Sequence, residues 1–132
     1  MPAQASITVN DGKATPLSHV FAVLGSMAEG GEVVAKWINR SASALTGGAE
    51  LLFNYYRTKK DGAFTVRLAM IMPITESVSG VNVVTRTLKG TVTFDIPANA
   101  TAIERKDIRT LLSNALTQVQ VTNCIDNGEP IY

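Results

Sequence analysis

Asn54, Tyr56 and Thr58 stand at alternate positions, as do Thr65, Arg67 and Ala69, and again Thr87, Lys89, Thr91 and Thr93. In an extended chain, alternate residues share one face. If these three faces coincide, they gather hydroxyls, cations and an aromatic ring on one surface. Cations meet phosphates, a ring stacks on an unpaired base, and Thr or Asn reaches base edges, so the combination suits RNA. A plain solvated sheet face carries the same pattern, and alternation alone leaves both readings open.

Other chemistry finds little support. The chain has one histidine, His19, and one cysteine, Cys124. They lie far apart without metal-ligand spacing, so no metal site is expected. His19 reads as an ordinary surface or hairpin residue. Cys124 reads as a small buried thiol, because Cys–His chemistry would need these two lone residues to meet. A single cysteine also forbids an intrachain disulfide, which fits a reducing compartment. The glycine pairs Gly30-Gly31 and Gly47-Gly48 lack the Lys-Ser/Thr that grips phosphate. The carboxylates are scattered and suggest no acid–base dyad. No catalytic residue and no cofactor are expected.

The bulk numbers agree with a small structured chain. The 132 residues suit one domain, and 45% of them are hydrophobic, enough for a core. A formal net charge of +1 gives no global field to draw the protein onto a polyanion, so any such binding must come from a local face. There is no run of 18 apolar residues and no signal-peptide start in Met1 to Asn10, so synthesis in the cytoplasm is expected and a membrane partner is not.

The elements that must position these residues can be read from patterning. Ile7–Val9 favours a strand, Asp11-Gly12 signals a hairpin, and His19–Leu24 is the return arm. Gly30-Gly31 breaks the chain. Glu32–Asn39 is compatible with a strand, Ser41–Gly48 with a loop, and Ala49–Thr58 with a second strand. Lys59-Lys60-Asp61-Gly62 is another hairpin signal. In Ala63–Met72, Phe64, Val66, Leu68 and Met70 alternate with Thr65, Arg67 and Ala69, the period of a half-buried strand. Pro73 is expected to stop this strand, and Thr75–Asn82 to be an exposed, mobile connection. Val83–Ile96 is a further strand, with Leu88, Gly90, Val92, Phe94 and Ile96 on its apolar side. Thr101 and Glu104 form a capping box that starts a helix. Ile108, Leu111, Leu112, Ala115 and Val119 recur at helical spacing along it. The end, Asn123–Tyr132, reads as irregular or one short turn.

One helix covers a width of about 10 Å. A sheet of four or five strands at ~4.8 Å per strand is wider. Either the first hairpin folds over the sheet or a second chain supplies a helix. Pairing edge strands across a two-fold axis removes the exposed edges as well. A dimer is therefore expected, with Ile108, Leu111, Leu112 and Ala115 at its interface.

Several collinear segments resemble the coat proteins of single-stranded RNA bacteriophages, the leviviruses. They are Glu32–Asn39 (EVVAKWIN), the strand pair within Ala49–Pro73, Gly90–Pro97 (GTVTFDIP), the helix Thr101–Leu116, and the ending Ile125-Asp126 with Pro130-Ile131-Tyr132. The resemblance implies an α+β fold: an N-terminal β-hairpin (about residues 6–25), a five-stranded antiparallel sheet (32–97), and C-terminal helices (101–132) packing on the partner subunit, in a single coat-protein domain. It implies a homodimer that builds an icosahedral shell, the virion capsid. It also implies that the inner sheet face binds a hairpin of the viral genomic RNA, for packaging and for translational repression of the replicase. Carried over position by position, that face would hold Val34, Asn54, Tyr56, Thr58, Thr65, Arg67, Lys89 and Thr91. Alternation places the same residues on the polar side. The competing readings are a non-capsid dimeric RNA- or protein-binding module and a small enzyme of unknown chemistry.

Overall fold

The structure is a computed structural model that describes residues 3–40 and 49–131. Six strands precede two helices: β1 (Ile7–Asn10), β2 (Ser18–Glu29), β3 (Glu32–Asn39), β4 (Glu50–Thr58), β5 (Phe64–Val78), β6 (Val81–Ile96), α1 (Ala102–Ala115) and α2 (Val119–Asn127). The strands form one sheet in chain order, β1 to β6. The α+β class therefore holds, with six strands rather than five. Contacts divide the chain into two compact units, Met1–Asp95 and Ile96–Tyr132. The expected loop Ser41–Gly48 lies outside the described residues.

The extra strand arises because β2 is longer than its hairpin. Its first residues pair with β1 (Ile7↔Phe21 to Asn10↔Ser18), and from Ala22 onward it pairs with β3. The register slips between Val23 and Gly25, where Leu24 is the extra residue of a bulge. Gly25 has φ 132°, which only glycine adopts readily, so the chain re-aims here from hairpin to sheet. The first connection is not a tight Asp-Gly turn. It is a loop wound on Asp11, whose Oδ1 accepts from the backbone N–H of Lys13 (3.2 Å) and of Leu17 (3.0 Å).

Pro73 does not end β5, and the connection expected over Thr75–Asn82 is instead a β-ribbon. The β4–β5 ladder closes at Leu51↔Ile71, so the missing N–H of Pro73 costs that ladder no hydrogen bond. β5 runs on to Val78 and turns through Ser79 (φ 53°) and Gly80 (φ 79°) into β6. Two positive φ values in a two-residue turn match the twist of the strands they join. Thr85 Oγ1 donates to the carbonyl of Ile74 (3.3 Å), and Arg86 pairs with Glu76 across the ribbon.

The core of the sheet unit is small. Phe21, Trp37 and Leu52 are buried, with Ile7, Ala35 and Met70 packed against them. Trp37↔Leu52 and Leu52↔Met70 are directly opposite across β3, β4 and β5. Ile7 and Phe21 come from the first hairpin, so that hairpin does contribute to covering one face. The indole Nε1 of Trp37 donates to the carbonyl of Ala5 (2.8 Å), and Gln4 Nε2 donates to the carbonyl of Lys36 (2.8 Å), tying the N-terminal segment down.

In the helical unit, α1 opens with the expected capping box. Thr101 Oγ1 accepts from Glu104 N–H (3.2 Å), and Glu104 Oε2 accepts from Thr101 N–H (2.7 Å). The Thr101 N–H first, and its hydroxyl second, hold the Glu104 carboxyl below its ordinary range. The helix stops at Ala115, and Val119 begins a second helix rather than extending the first. The region expected to be irregular thus begins inside α2, which runs to Asn127 and is closed by Gly128 at φ 67°. Neither helix buries a residue, and Cys124 on α2 is exposed rather than buried.

Phe21 is only 1% exposed and unites hairpin and sheet. Replacing it (Phe21→Ala) is predicted to cost about 3–5 kcal/mol of unfolding free energy, measured by chemical denaturation. An unchanged midpoint would remove Phe21 from the core.

Candidate nucleic-acid interface

Pairing across β3, β4 and β5 sets which side chains share a face, because opposite residues project to the same side. Val34, Tyr55 and Arg67 form one such row, and Glu32, Arg57 and Thr65 the next. Thr65 Oγ1 donates to Asp95 Oδ1 (2.6 Å), which brings the odd-numbered positions at this end of β6 to the same face. Thr93 borders the same depression as Thr65 and Arg67. The alternate residues Val92, Phe94 and Ile96 are half-buried, while Thr91, Thr93 and Asp95 are exposed. Strand alternation assigns Thr91 and Lys89 the same parity.

The expected surface is therefore divided. Val34, Thr65 and Arg67 lie on one face, to which alternation along β6 assigns Lys89 and Thr91. Asn54 and Tyr56 lie on the other, opposite Leu68 and Val66 on β5, and so share the side of Trp37 and Leu52. Tyr56 packs its ring against Phe64, with centroids 5.5 Å apart. Thr58 has the same parity, opposite Phe64, although it borders the first face's depression at the strand end. Alternation misled here because β4 does not alternate. Leu51, Leu52 and Phe53 are consecutive apolar residues, and Tyr55 and Tyr56 consecutive aromatics. The phase is set by which residue meets Trp37, and that residue is Leu52.

Sequence reasoning thus missed Tyr55 and Arg57. The folded turn supplies what the pattern lacks. Lys59 N–H donates to Ala63 O (2.8 Å), and Thr58 pairs with Phe64, so Tyr55 must oppose Arg67. The strongly patterned β5 fixes β4 once that turn geometry is known.

On this face the Arg67 guanidinium sits 4.2 Å from the centroid of the Tyr55 ring. This cation–π contact holds a charged group over the Tyr55 ring. Phe53 stacks beside Tyr55, with centroids 6.0 Å apart and planes 23° from parallel. Two open depressions meet here, sharing Glu32 and Tyr55. One is bordered by Arg57, Lys59, Lys60, Thr65 and Arg67, and the other by Met27, Val34, Lys36 and Phe53. Among the described residues, Lys36, Arg57, Lys59, Lys60, Arg67 and Lys89 make no ion pair. Their charge is available to an anion, and the rings beside them offer flat apolar surface to a base.

The residues expected at a subunit interface lie on α1. Ile108 and Leu111 are exposed, at 47% and 65%, Ala115 is exposed, and Leu112 is half-buried. Among the described residues no helix is long and apolar enough to cross a membrane.

Comparison with known proteins bears on both the fold and the family. The sequence profile of the levivirus coat protein matches residues 2–132. The chain in the virus-like particle of bacteriophage ESE058 is 26% identical, with a TM-score of 0.85 over 99% of this chain and 100% of that one. That of bacteriophage NT-214 is 22% identical, with a TM-score of 0.86 over 99% and 100%. The capsid protein of bacteriophage GA is 16% identical, with a TM-score of 0.74 over 97% of each chain, so the fold persists where most side chains have changed. Comparison with curated protein sequences gave no significant match. The six-stranded sheet with its C-terminal helices is the architecture of these particles' subunits, and the profile match spans nearly every residue: the chain belongs to the levivirus coat protein family, whose members are structural capsid proteins and not enzymes.

Proposed function

We propose that this chain dimerises, assembles into the icosahedral shell of a single-stranded RNA bacteriophage, and binds a hairpin of the genomic RNA on the sheet face that carries Tyr55 and Arg67. The subunit would be made in the cytoplasm of the bacterial host, and RNA binding there would repress replicase translation and mark the genome for packaging. The observation that carries the RNA reading is the cation–π pair itself: Arg67 over Tyr55, ringed by further cations without ion-pair partners. Phosphates find charge, and an unpaired base finds a ring. The RNA face then comprises Val34, Thr65, Arg67, Lys89 and Thr91, with Tyr55 and Arg57 in place of Asn54, Tyr56 and Thr58.

Two features support dimerisation. β6 is a sixteen-residue strand at the end of the sheet order, with a neighbour on one side only. So long an open edge invites pairing, and a two-fold axis lets two copies pair edge to edge. α1 also presents Ile108 and Leu111 to solvent, an apolar stripe that water leaves unsatisfied. A partner's sheet would cover it. Shell assembly is supported by the likeness to chains solved as virus-like particles.

Arg67→Ala and Lys89→Ala are each predicted to weaken binding of a hairpin taken from co-purifying RNA. Each should also lower the salt slope by about one phosphate contact, read by filter binding across a salt series. Tyr55→Ala should cost about 1–3 kcal/mol of affinity, the worth of one stacked base. Tyr56→Ala should leave affinity unchanged; a loss there with a silent Tyr55→Ala would place the RNA on the opposite face.

Leu112→Asp puts a charge into the proposed interface at a cost of several kcal/mol, on the order of 3–5. It is predicted to abolish particles in electron microscopy and to yield small species by sizing. Normal particles, or a wild-type monomer mass at every concentration, would refute the role assigned to α1.

A further inference from the structure

His19 is not the ordinary hairpin residue that its isolation in the sequence suggests. Its Nδ1 lies 2.7 Å from Glu50 Oε2, and its Nε2 lies 3.2 Å from Asp11 Oδ2. A carboxylate only accepts hydrogen bonds, so both ring nitrogens must carry protons for both contacts to be favourable. That species is the imidazolium. A neutral ring has one N–H and would turn a lone pair on one of the two carboxylates.

Both carboxylates are fixed as acceptors by other donors. Asn39 Nδ2 donates to Glu50 Oε2 (3.2 Å), and Asn39 is itself buried. Asp11 accepts from the N–H groups of Leu17 and Lys13, and Lys13 Nζ lies 3.2 Å from its Oδ2. Among the described residues the charged groups facing His19 are therefore Glu50 from β4 and Asp11 from the β1–β2 loop, with Lys13 behind Asp11. All three of His19, Asp11 and Glu50 have side chains that are mostly shielded, at 24%, 18% and 14% exposure, so bulk water screens this cluster less than it screens a surface pair.

The cluster sits where the backbone does not bind the hairpin to β3. Residues Ser18 to Phe21 of β2 pair with β1, and pairing with β3 starts only at Ala22. Asn39 and Glu50 face each other at the end of the β3–β4 ladder. The polar link across this gap is made by side chains, with His19 at its centre, beside the apolar packing of Phe21.

We infer that protonated His19 is a pH-operated clasp that fastens the β1–β2 hairpin to the Asn39–Glu50 end of the sheet and opens when the ring loses its proton. The same contacts raise its pKa above 6.5, the bond to Glu50 first and that to Asp11 second, against the opposing effect of burial. Asp11 is held well below the usual carboxylate range, first by the Leu17 N–H, so it stays ionised across this window. A raised folded pKa means that the clasp contributes fully below pH 6.5 and is lost as pH rises through the folded value.

The chain has one histidine, so histidine C2 hydrogen–deuterium exchange by mass spectrometry gives one titration curve, on dimers or on assembled particles. Amide exchange of peptides covering residues 7–21, corrected for intrinsic rate, reads the hairpin in the same samples. The expected result is a ring midpoint above 6.5, with hairpin protection lost at the same pH. His19→Gln should abolish that step while retaining every other titrating group, and Asp11→Asn should move both midpoints down together. A ring midpoint at or below 6.5, or a protection step that persists in His19→Gln, would overturn the clasp. Should His19→Gln fail to fold, the wild type and Asp11→Asn still decide: midpoints that coincide and shift together support the clasp, and midpoints that part or stay put refute it.

Discussion

Trp37 on β3 and Leu52 on β4 face each other, and Phe21 from the first hairpin closes over them. Much of this molecule depends on that contact. A strand has a period of two, so fixing one pair fixes the side taken by every other residue in the ladder. With Leu52 inward, Tyr55 and Arg57 must point the opposite way, and Arg67 must meet Tyr55. The polar face exists because the apolar contact chose its phase. The indole N–H reaches the Ala5 carbonyl, so the ring's position is held by a hydrogen bond as well as by packing.

The core that makes this choice is minimal. Among the described residues three hydrophobic side chains are buried, while Val23, Leu68, Ile108 and Leu111 remain exposed. A chain with 45% hydrophobic residues that buries so few has apolar surface left for association. The open β6 edge adds unpaired backbone groups to the same need. In a coat protein family such incompleteness is a design constraint: the subunit must be stable enough to fold and unsatisfied enough to assemble. The His19 cluster belongs to the other side of that balance, since it links the hairpin to the sheet at the stretch of β2 that precedes its pairing with β3.

Much of the fold was legible in the sequence. β5 alternates without a break from Phe64 to Met70, and its faces are as alternation assigns them. Thr101 and Glu104 announced the start of α1 through a local rule that needs no tertiary context. The failures are equally specific. Pro73 reads as a stop only if β5 has a neighbour beyond Ile71 on the β4 side, and its ladder with β4 ends there. Ser79-Gly80 is a modest turn signal that becomes decisive once two strands twist toward it. His19 carried no signal at all, because Asp11 reaches it only through the folded hairpin loop and Glu50 only from β4.

The sequence by itself determined the local structure: the order of elements, the alternating face of β5, the helix cap and the surplus of apolar residues. Its collinear motifs also pointed to the family. Only the tertiary structure decided the phase of β4, and with it the exchange of Asn54 and Tyr56 for Tyr55 and Arg57 on the cationic face. The physical reason is that local patterning constrains a strand only where one side is plainly apolar and the other plainly polar. Where both sides are mixed, as in Leu51-Leu52-Phe53 and Tyr55-Tyr56, burial against a residue distant in sequence breaks the tie.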